Sequence, residues 1–238
     1  MYWFWKDQDV EIKVLDHGFV RLVEHMGNDD SIVRSARVSY GEGTKTKRDD
    51  EKLIRYLIKH KHTSPLESVQ FTFHVSVPIF IARQWHRHRS WSYNEVSGRY
   101  SKLSNNFYIP EYSRIQAQDG KNRQASAEQL DPETQYLAVK SIRRACEDAY
   151  RVYENLLDSG VSREIARIIL PLNTYTEFYA SVNLHNLFHF LGLRLENGAQ
   201  SEIREYSKAI VDIIREIVPV SVRAWEELVL NESSSTLR

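Results

Sequence analysis

The chain has 238 residues, 42% hydrophobic and 27% charged, and its 32 basic and 32 acidic residues cancel. That balance describes one globular domain over 1–238 with room for a sizeable core, and it excludes a nucleic-acid binder working by bulk positive charge. Its longest apolar runs fall far short of the ~20 residues a membrane helix needs, and Met1–Lys6 is too short for a signal peptide. The chain is therefore expected in the cytoplasm, with neither a membrane nor a nucleic acid as partner. The single cysteine, Cys146, excludes an intrachain disulfide and a zinc site built on several cysteines.

Val10, Ile12 and Val14 alternate with Glu11 and Lys13, which predicts a half-buried strand. Phe19, Leu22, Val23 and Met26 then recur at helical spacing over 16–26. Ile32, Val33 and Ala36 do so over 30–38, with Asp30 as N-cap. Gly41 to Arg48 read as a polar loop. Gly41-Glu42-Gly43 lacks the third glycine of a dinucleotide loop and the Gly-Lys-Ser/Thr end of a phosphate loop. Asp50 is expected to cap a helix to about Lys61, with Leu53, Ile54, Leu57 and Ile58 inward. His60, His62, Thr63, Ser64, Pro65 and Glu67 form the turn after it, either as cations dressing a helix end or as groups reaching a ligand.

Val69, Phe71, Phe73, Val75 and Val77 give the clearest strand alternation in the chain. Pro78 is expected at the first position of a helix that runs into a basic stretch. Ser104–Ser113 reads as loop with a short strand at Phe107–Ile109, and 119–130 as a surface loop. Asp131-Pro132-Glu133 starts a long helix to about Leu157, whose apolar stripe Val139, Ile142, Cys146, Ala149, Tyr153 and Leu156 makes Cys146 a core filler. Ser162 caps a short helix over 163–169, stopped by Pro171, and 172–182 is partly extended. Helices follow over 183–194 and 200–218, the latter ended by Pro219. A shorter helix reaches about Leu228, and 232–238 is a frayed tail. The fold class is α+β, a single domain with a small antiparallel or mixed sheet and several long helices.

The densest chemistry lies in residues 83–101. Four arginines, two histidines, two tryptophans and two tyrosines there share a segment with one glutamate. Arginine's planar fork matches phosphate and its face stacks on aromatic rings, so the mixture suits an anionic nucleotide better than a solvated face. Gly98 lets backbone approach a phosphate, and Ser97 has no adjacent base, which favours a phosphate ligand over a nucleophile. His86 and His88 lack further metal ligands nearby in the sequence, so no metal is expected.

Arg87-His88-Arg89, Ser92, Asn94-Glu95, Ser97 and Arg99 together read RHRxxSxNExSxR. This resembles the signature of the flavin-dependent thymidylate synthases, with every fixed position filled. The resemblance extends from Val14-Leu15-Asp16 through Tyr93–Leu103 to Ala199-Gln200. It implies methylation of dUMP to dTMP, with 5,10-methylenetetrahydrofolate as carbon donor. FAD would shuttle the hydride and NADPH would supply it, so no enzyme thiol is needed. With nine glycines and no Rossmann fingerprint, the flavin site would be of another kind.

The resemblance also implies residue roles. Gln84, Trp85, His86, Arg87, Glu95, Val96, Ser97, Gly98, Arg99, Arg167 and Arg194 would bind dUMP. Ser64, Arg87, His88, Arg89, Ser90, Glu95, Asn183, Leu184, His185 and His189 would bind FAD, although His185 and His189 stand where family members vary. His62 and Tyr100 would contact folate. Arg194 would be catalytic, promoting ionisation of uracil N3; read without the resemblance it is a cation at a helix C-terminus. The family works as a homotetramer with sites shared between subunits. The rival readings are a single-stranded nucleic-acid-binding module, stacking bases on Trp85, Trp91, Tyr93 and Tyr100, and a different flavoprotein reductase.

Overall fold

The strongest alternation in the sequence builds the centre of the molecule. In the computed structural model, which describes residues 10–38, 47–120 and 126–230, Phe71, Phe73, Val75 and Val77 of strand β3 (Gln70–Pro78) are all fully enclosed. Each such side chain contributes roughly 1.5–3 kcal/mol by leaving water. β3 pairs antiparallel with β7 (Tyr175–Asn183) from Gln70↔Asn183 to Pro78↔Tyr175. With β1 (Glu11–Val14), β2 (Gly18–Met26) and β4 (Ser92–Glu95) they form a five-stranded sheet of order β1-β2-β3-β7-β4, antiparallel throughout.

Helices cover one face of this sheet. α3 (Ile79–Trp85), α6 (Leu184–Leu195) and α7 (Ser201–Arg215) bury Ile81, Trp85, Leu187, Phe190, Leu191, Ile203, Tyr206 and Ile210 against it. α1 (Asp29–Arg37), α2 (Lys47–Lys59) and α8 (Pro219–Trp225) extend the same core. The long α4 (Pro132–Asp158) packs Cys146, Tyr150 and Tyr153 with Phe107 and with Ala166 of α5 (Arg163–Ala166) into a smaller second cluster.

Several expectations are corrected. Residues 18–26 are strand, not helix. Val20 and Leu22 follow the strand period, but a register shift between Leu22 and Glu24 breaks it at Val23. That bulge is what made Phe19, Leu22, Val23 and Met26 look helical. Gly18 is fixed by packing: a β-carbon there would come within 2.0 Å of the Tyr206 hydroxyl and 2.7 Å of the Val14 carbonyl. Asp50 lies inside α2, which starts at Lys47, and its carboxylate pairs with Arg37 of α1 instead of capping. Pro78 closes β3, and the helix begins one residue later. The surface loop after Asp119 contains a strand, β6 (Ser126–Gln129), paired with β5 (Gln116–Gln118). Pro219 opens α8, since α7 already ends at Arg215. Asn28, not Asp30, caps α1. The expectations for Met1–Lys6, for Gly41–Lys45 and for 232–238 fall outside the described residues.

Asp29 joins the two ends of the fold. Its carboxylate accepts from the Val220 and Ser221 amides at 2.9 and 3.1 Å and from the Ser221 hydroxyl at 2.6 Å. It thus caps α8 from a distant helix, opposite the positive end of the α8 dipole. Ser221 is fully buried, so Asp29→Ala strands a buried hydroxyl and two amides. We expect a loss of about 2 kcal/mol in denaturant unfolding.

Candidate active site

The motif begins where α3 ends. The His86 amide closes the last helical turn on the Ala82 carbonyl, and residues 86–91 then turn the chain into β4 at the sheet edge. Sequence reasoning missed β4 because its residues are mostly polar and only Tyr93 points inward. The Tyr93 hydroxyl lies 3.1 Å from the Trp85 carbonyl and 3.0 Å from the His88 carbonyl, fastening the turn to the strand. Burial pushes the Tyr93 phenol well above its ordinary range, so it stays a protonated donor.

Two predicted residues from distant parts of the chain meet at this turn. The Arg194 Nε–H donates to His88 Nε2 at 3.1 Å, and its Nη2 donates to the Gln84 carbonyl at 3.1 Å. His88 is held down to about 4 by burial first, then by the charges of Arg194 and His189. It is therefore neutral at physiological pH, with Nε2 accepting and the proton on Nδ1. Gln84 Nε2 donates to Gln200 Oε1 at 2.6 Å. Arg87, Arg89 and Ser90 are exposed beside this cluster, and among the described residues neither arginine has an ion-pair partner.

The second half of the motif forms another group at the far end of β4. Glu95 Oε1 accepts from the Thr176 hydroxyl at 2.6 Å, and the Val96 amide bonds the Glu177 carbonyl at 2.9 Å. The Ser97 hydroxyl accepts from the Arg99 amide at 3.3 Å. Arg99 pairs with Glu164 of α5 at 3.2 Å. A β-carbon on Gly98 would meet Leu103 at 3.0 Å and the Arg167 side chain at 3.2 Å, so Arg167 lies across the backbone of Gly98.

A third group lies at the start of α6 and the end of α2. Asn183 caps α6, its side-chain oxygen accepting from the Asn186 amide at 2.9 Å. His185 and His189 line a 490 Å³ cleft with Lys61 and Thr63. His62 and Ser64 line a neighbouring 300 Å³ cleft. A 620 Å³ cleft between β1, α7 and residues 108–114 holds none of the predicted site residues. Among the described residues no three His, Cys, Asp or Glu converge as a metal site.

Some predicted residues sit where their side chains meet no ligand within this chain. Trp85 is 0% exposed among Trp91, Phe178, Phe190 and Tyr206, and Leu184 is equally enclosed. Only their backbone can face a small molecule. This also corrects the base-stacking reading: Trp91 is 6% exposed and Tyr93 half-buried, leaving only Tyr100, at 80%, as an open platform. Thr176, Glu164 and Gln200 were not singled out as site residues, yet each bonds one that was. Gln200 carried a signal, since Ala199-Gln200 belongs to the resemblance.

The site fits a flavin on the chain's own chemistry. Arginine forks on an exposed turn, without an ion-pair partner among the described residues, suit a pyrophosphate, and His185 and His189 rim a cleft beside α6. Among the described residues no helix is long and apolar enough to cross a membrane.

Comparison with known proteins shows the family. Residues 21–220 match the family model for the thymidylate synthase complementing protein. The chain is 57% identical over 219 residues to a flavin-dependent thymidylate synthase of Thermus thermophilus, covering 92% of this chain and 79% of that one. It is 51% identical over 219 residues to one from Treponema denticola, covering 92% and 82%. Its structure is similar to that of PolB, a UMP/dUMP methylase from Streptomyces cacaoi solved with 5-Br dUMP. The TM-score is 0.82 and the identity 34%, over 91% of this chain and 97% of that one. This chain belongs to the thymidylate synthase complementing protein family, the flavin-dependent thymidylate synthases, and is an enzyme of that class.

Proposed function

We propose that this chain methylates dUMP to dTMP with 5,10-methylenetetrahydrofolate as carbon donor, FAD as cofactor and NADPH as reductant. We propose further that it acts as a homotetramer whose sites are shared between subunits. The observation that carries the reading is Arg194, a half-buried cation aimed by a neutral histidine and a backbone carbonyl at the turn that opens the motif.

When bound, the flavin supplies the hydride. The chain's own residues bind, orient and stabilise charge. Arg87 and Arg89, with Ser90, meet the cofactor pyrophosphate. Ser97, Arg99 and Arg167 take the nucleotide phosphate, with Gly98 keeping backbone close to it. Gln84 and Glu95 are held in place by Gln200 and Thr176 and orient the pyrimidine. Arg194 places its charge beside uracil N3, where negative charge develops as the ring is activated. His62 and Tyr100 contact the folate.

The reading is tested by anaerobic turnover of dUMP with methylenetetrahydrofolate, NADPH and FAD, following dTMP. Absence of dTMP, or full activity without flavin, would sink it. A thiol plays no part. Cys146 is 3% exposed on α4, with the Asn173 amide 3.1 Å from its sulfur. Cys146→Ala is expected to keep normal turnover and to lose about 1 kcal/mol of stability. Inactivity in a folded, yellow Cys146→Ala protein would overturn the thiol-free route.

Ser97→Ala is expected to weaken dUMP binding about fivefold, the worth of one hydrogen bond, with turnover retained at saturating dUMP. Complete loss of chemistry at saturation would make Ser97 a nucleophile instead.

A further inference from the structure

The arginine that ends the motif already holds an anion. Arg99 Nη2 lies 3.2 Å from Glu164 Oε2, and the two side chains are 57% and 51% exposed. The pair bridges two separate elements. Arg99 projects from a tight turn in which the Ser97 carbonyl accepts from the Tyr100 and Ser101 amides at 3.0 and 3.1 Å. The Ser97 hydroxyl accepts from the Arg99 amide at 3.3 Å. Glu164 stands in the first turn of α5. Beside the pair, the Gly98 backbone is buried, with the Arg167 side chain lying across it.

Glu164 is the acid of a basic segment. Arg163 and Arg167 flank it in the chain, and among the described residues neither has an ion-pair partner. An ion pair as open to water as Arg99–Glu164 adds little to the stability of a fold. Its place next to Ser97, Gly98 and Arg167 therefore points to a use in binding.

We propose that Glu164 is the internal counter-ion of the phosphate subsite: it holds the Arg99 fork until the 5′-phosphate of dUMP displaces it, and takes the fork back as dTMP leaves. The inference rests on the dUMP reading and adds a residue to it. A phosphate monoester carries roughly −1.5 to −2 charge at pH 7 and three acceptor oxygens, so it outcompetes a single carboxylate for the fork. Glu164, half in water already, then turns outward. Substrate and product carry the same phosphate. Glu164 therefore weakens both by one factor, which is uniform binding: it leaves the chemical step alone and keeps the product from lingering on Arg99 and Arg167.

The test is calorimetric titration of the flavin-loaded enzyme with dUMP, dTMP, deoxyuridine and inorganic phosphate, in wild type, Glu164→Gln and Glu164→Lys. Glu164→Gln is expected to bind dUMP, dTMP and phosphate about two- to fivefold more tightly, the worth of one exposed ion pair. Glu164→Lys should bind them at least as tightly as Glu164→Gln does. Deoxyuridine lacks the phosphate and should bind to all three proteins alike. In steady state, product inhibition by dTMP should strengthen by the same factor as dUMP binding. A gain in affinity cannot come from misfolding, and retained flavin absorbance shows that each variant is folded. Weaker dUMP binding in Glu164→Gln would make Glu164 an orienting partner of Arg99 and overturn the proposal. So would unchanged dUMP affinity, or a gain for deoxyuridine as large as that for dUMP, which would move the effect away from the phosphate. Failure of the dUMP reading itself is distinct, because wild type would then not bind dUMP.

Discussion

Arg194→Ala is expected to lower dTMP formation by a factor of ~10²–10³ while the purified protein stays yellow. The guanidinium has five N–H donors. Nε spends one on His88, and Nη2 spends one on the Gln84 carbonyl. Both anchors lie on the α3 side, so the remaining donors keep a fixed direction. Burial lowers the Arg194 pKa only from a very high starting point, and the group remains a cation. A fixed cation in a partly desolvated place stabilises charge developing on the pyrimidine with no reorganisation at the moment of reaction.

Alanine removes that charge and leaves the buried His88 Nε2 without its donor. In the proposed reading flavin binding draws instead on Arg87, Arg89 and Ser90, and no hydrogen bond joins Arg194 to any of them among the described residues. Arg194→Lys should not restore the rate, because a single ammonium cannot hold both anchors in the planar geometry of the fork. The measurements are single-turnover dTMP formation and the flavin absorbance of the same sample. A colourless variant, or one with normal turnover, would remove Arg194 from the chemistry.

The pair Arg194–His88 also shows where sequence reading stops. Both residues were legible as candidate site residues, His88 from the motif and Arg194 from the resemblance. Their contact was not, because 106 positions separate them and only the crossing of α3 and α6 over the sheet brings them together. The protonation state of His88 likewise comes from tertiary burial, which no local pattern reports. β3 was legible because both its neighbours are strands and its inward face is fully apolar. β2 was not, because its bulge breaks the period of two, and β4 was not, because an edge strand needs little apolar surface.

Mixing two inactive variants is expected to restore activity. Arg99 turns to Glu164 on α5, while Arg194 turns to His88 at the end of α3. Arg99 lies beside Gly98, against whose backbone the Arg167 side chain packs. A nucleotide with its phosphate at Arg99 and its ring at Arg194 would take the two groups from different subunits, as closed symmetric oligomers allow. Arg99→Ala and Arg194→Ala should each be nearly inactive alone. Unfolded together and reassembled at equal amounts, they should recover roughly one quarter of wild-type activity, because random mixing gives that fraction of sites both intact arginines. If both arginines of a site came from one chain, every site would keep one lesion at any mixing ratio. Mixed tetramers confirmed by native mass measurement that stay inactive would place the whole nucleotide site within a single subunit.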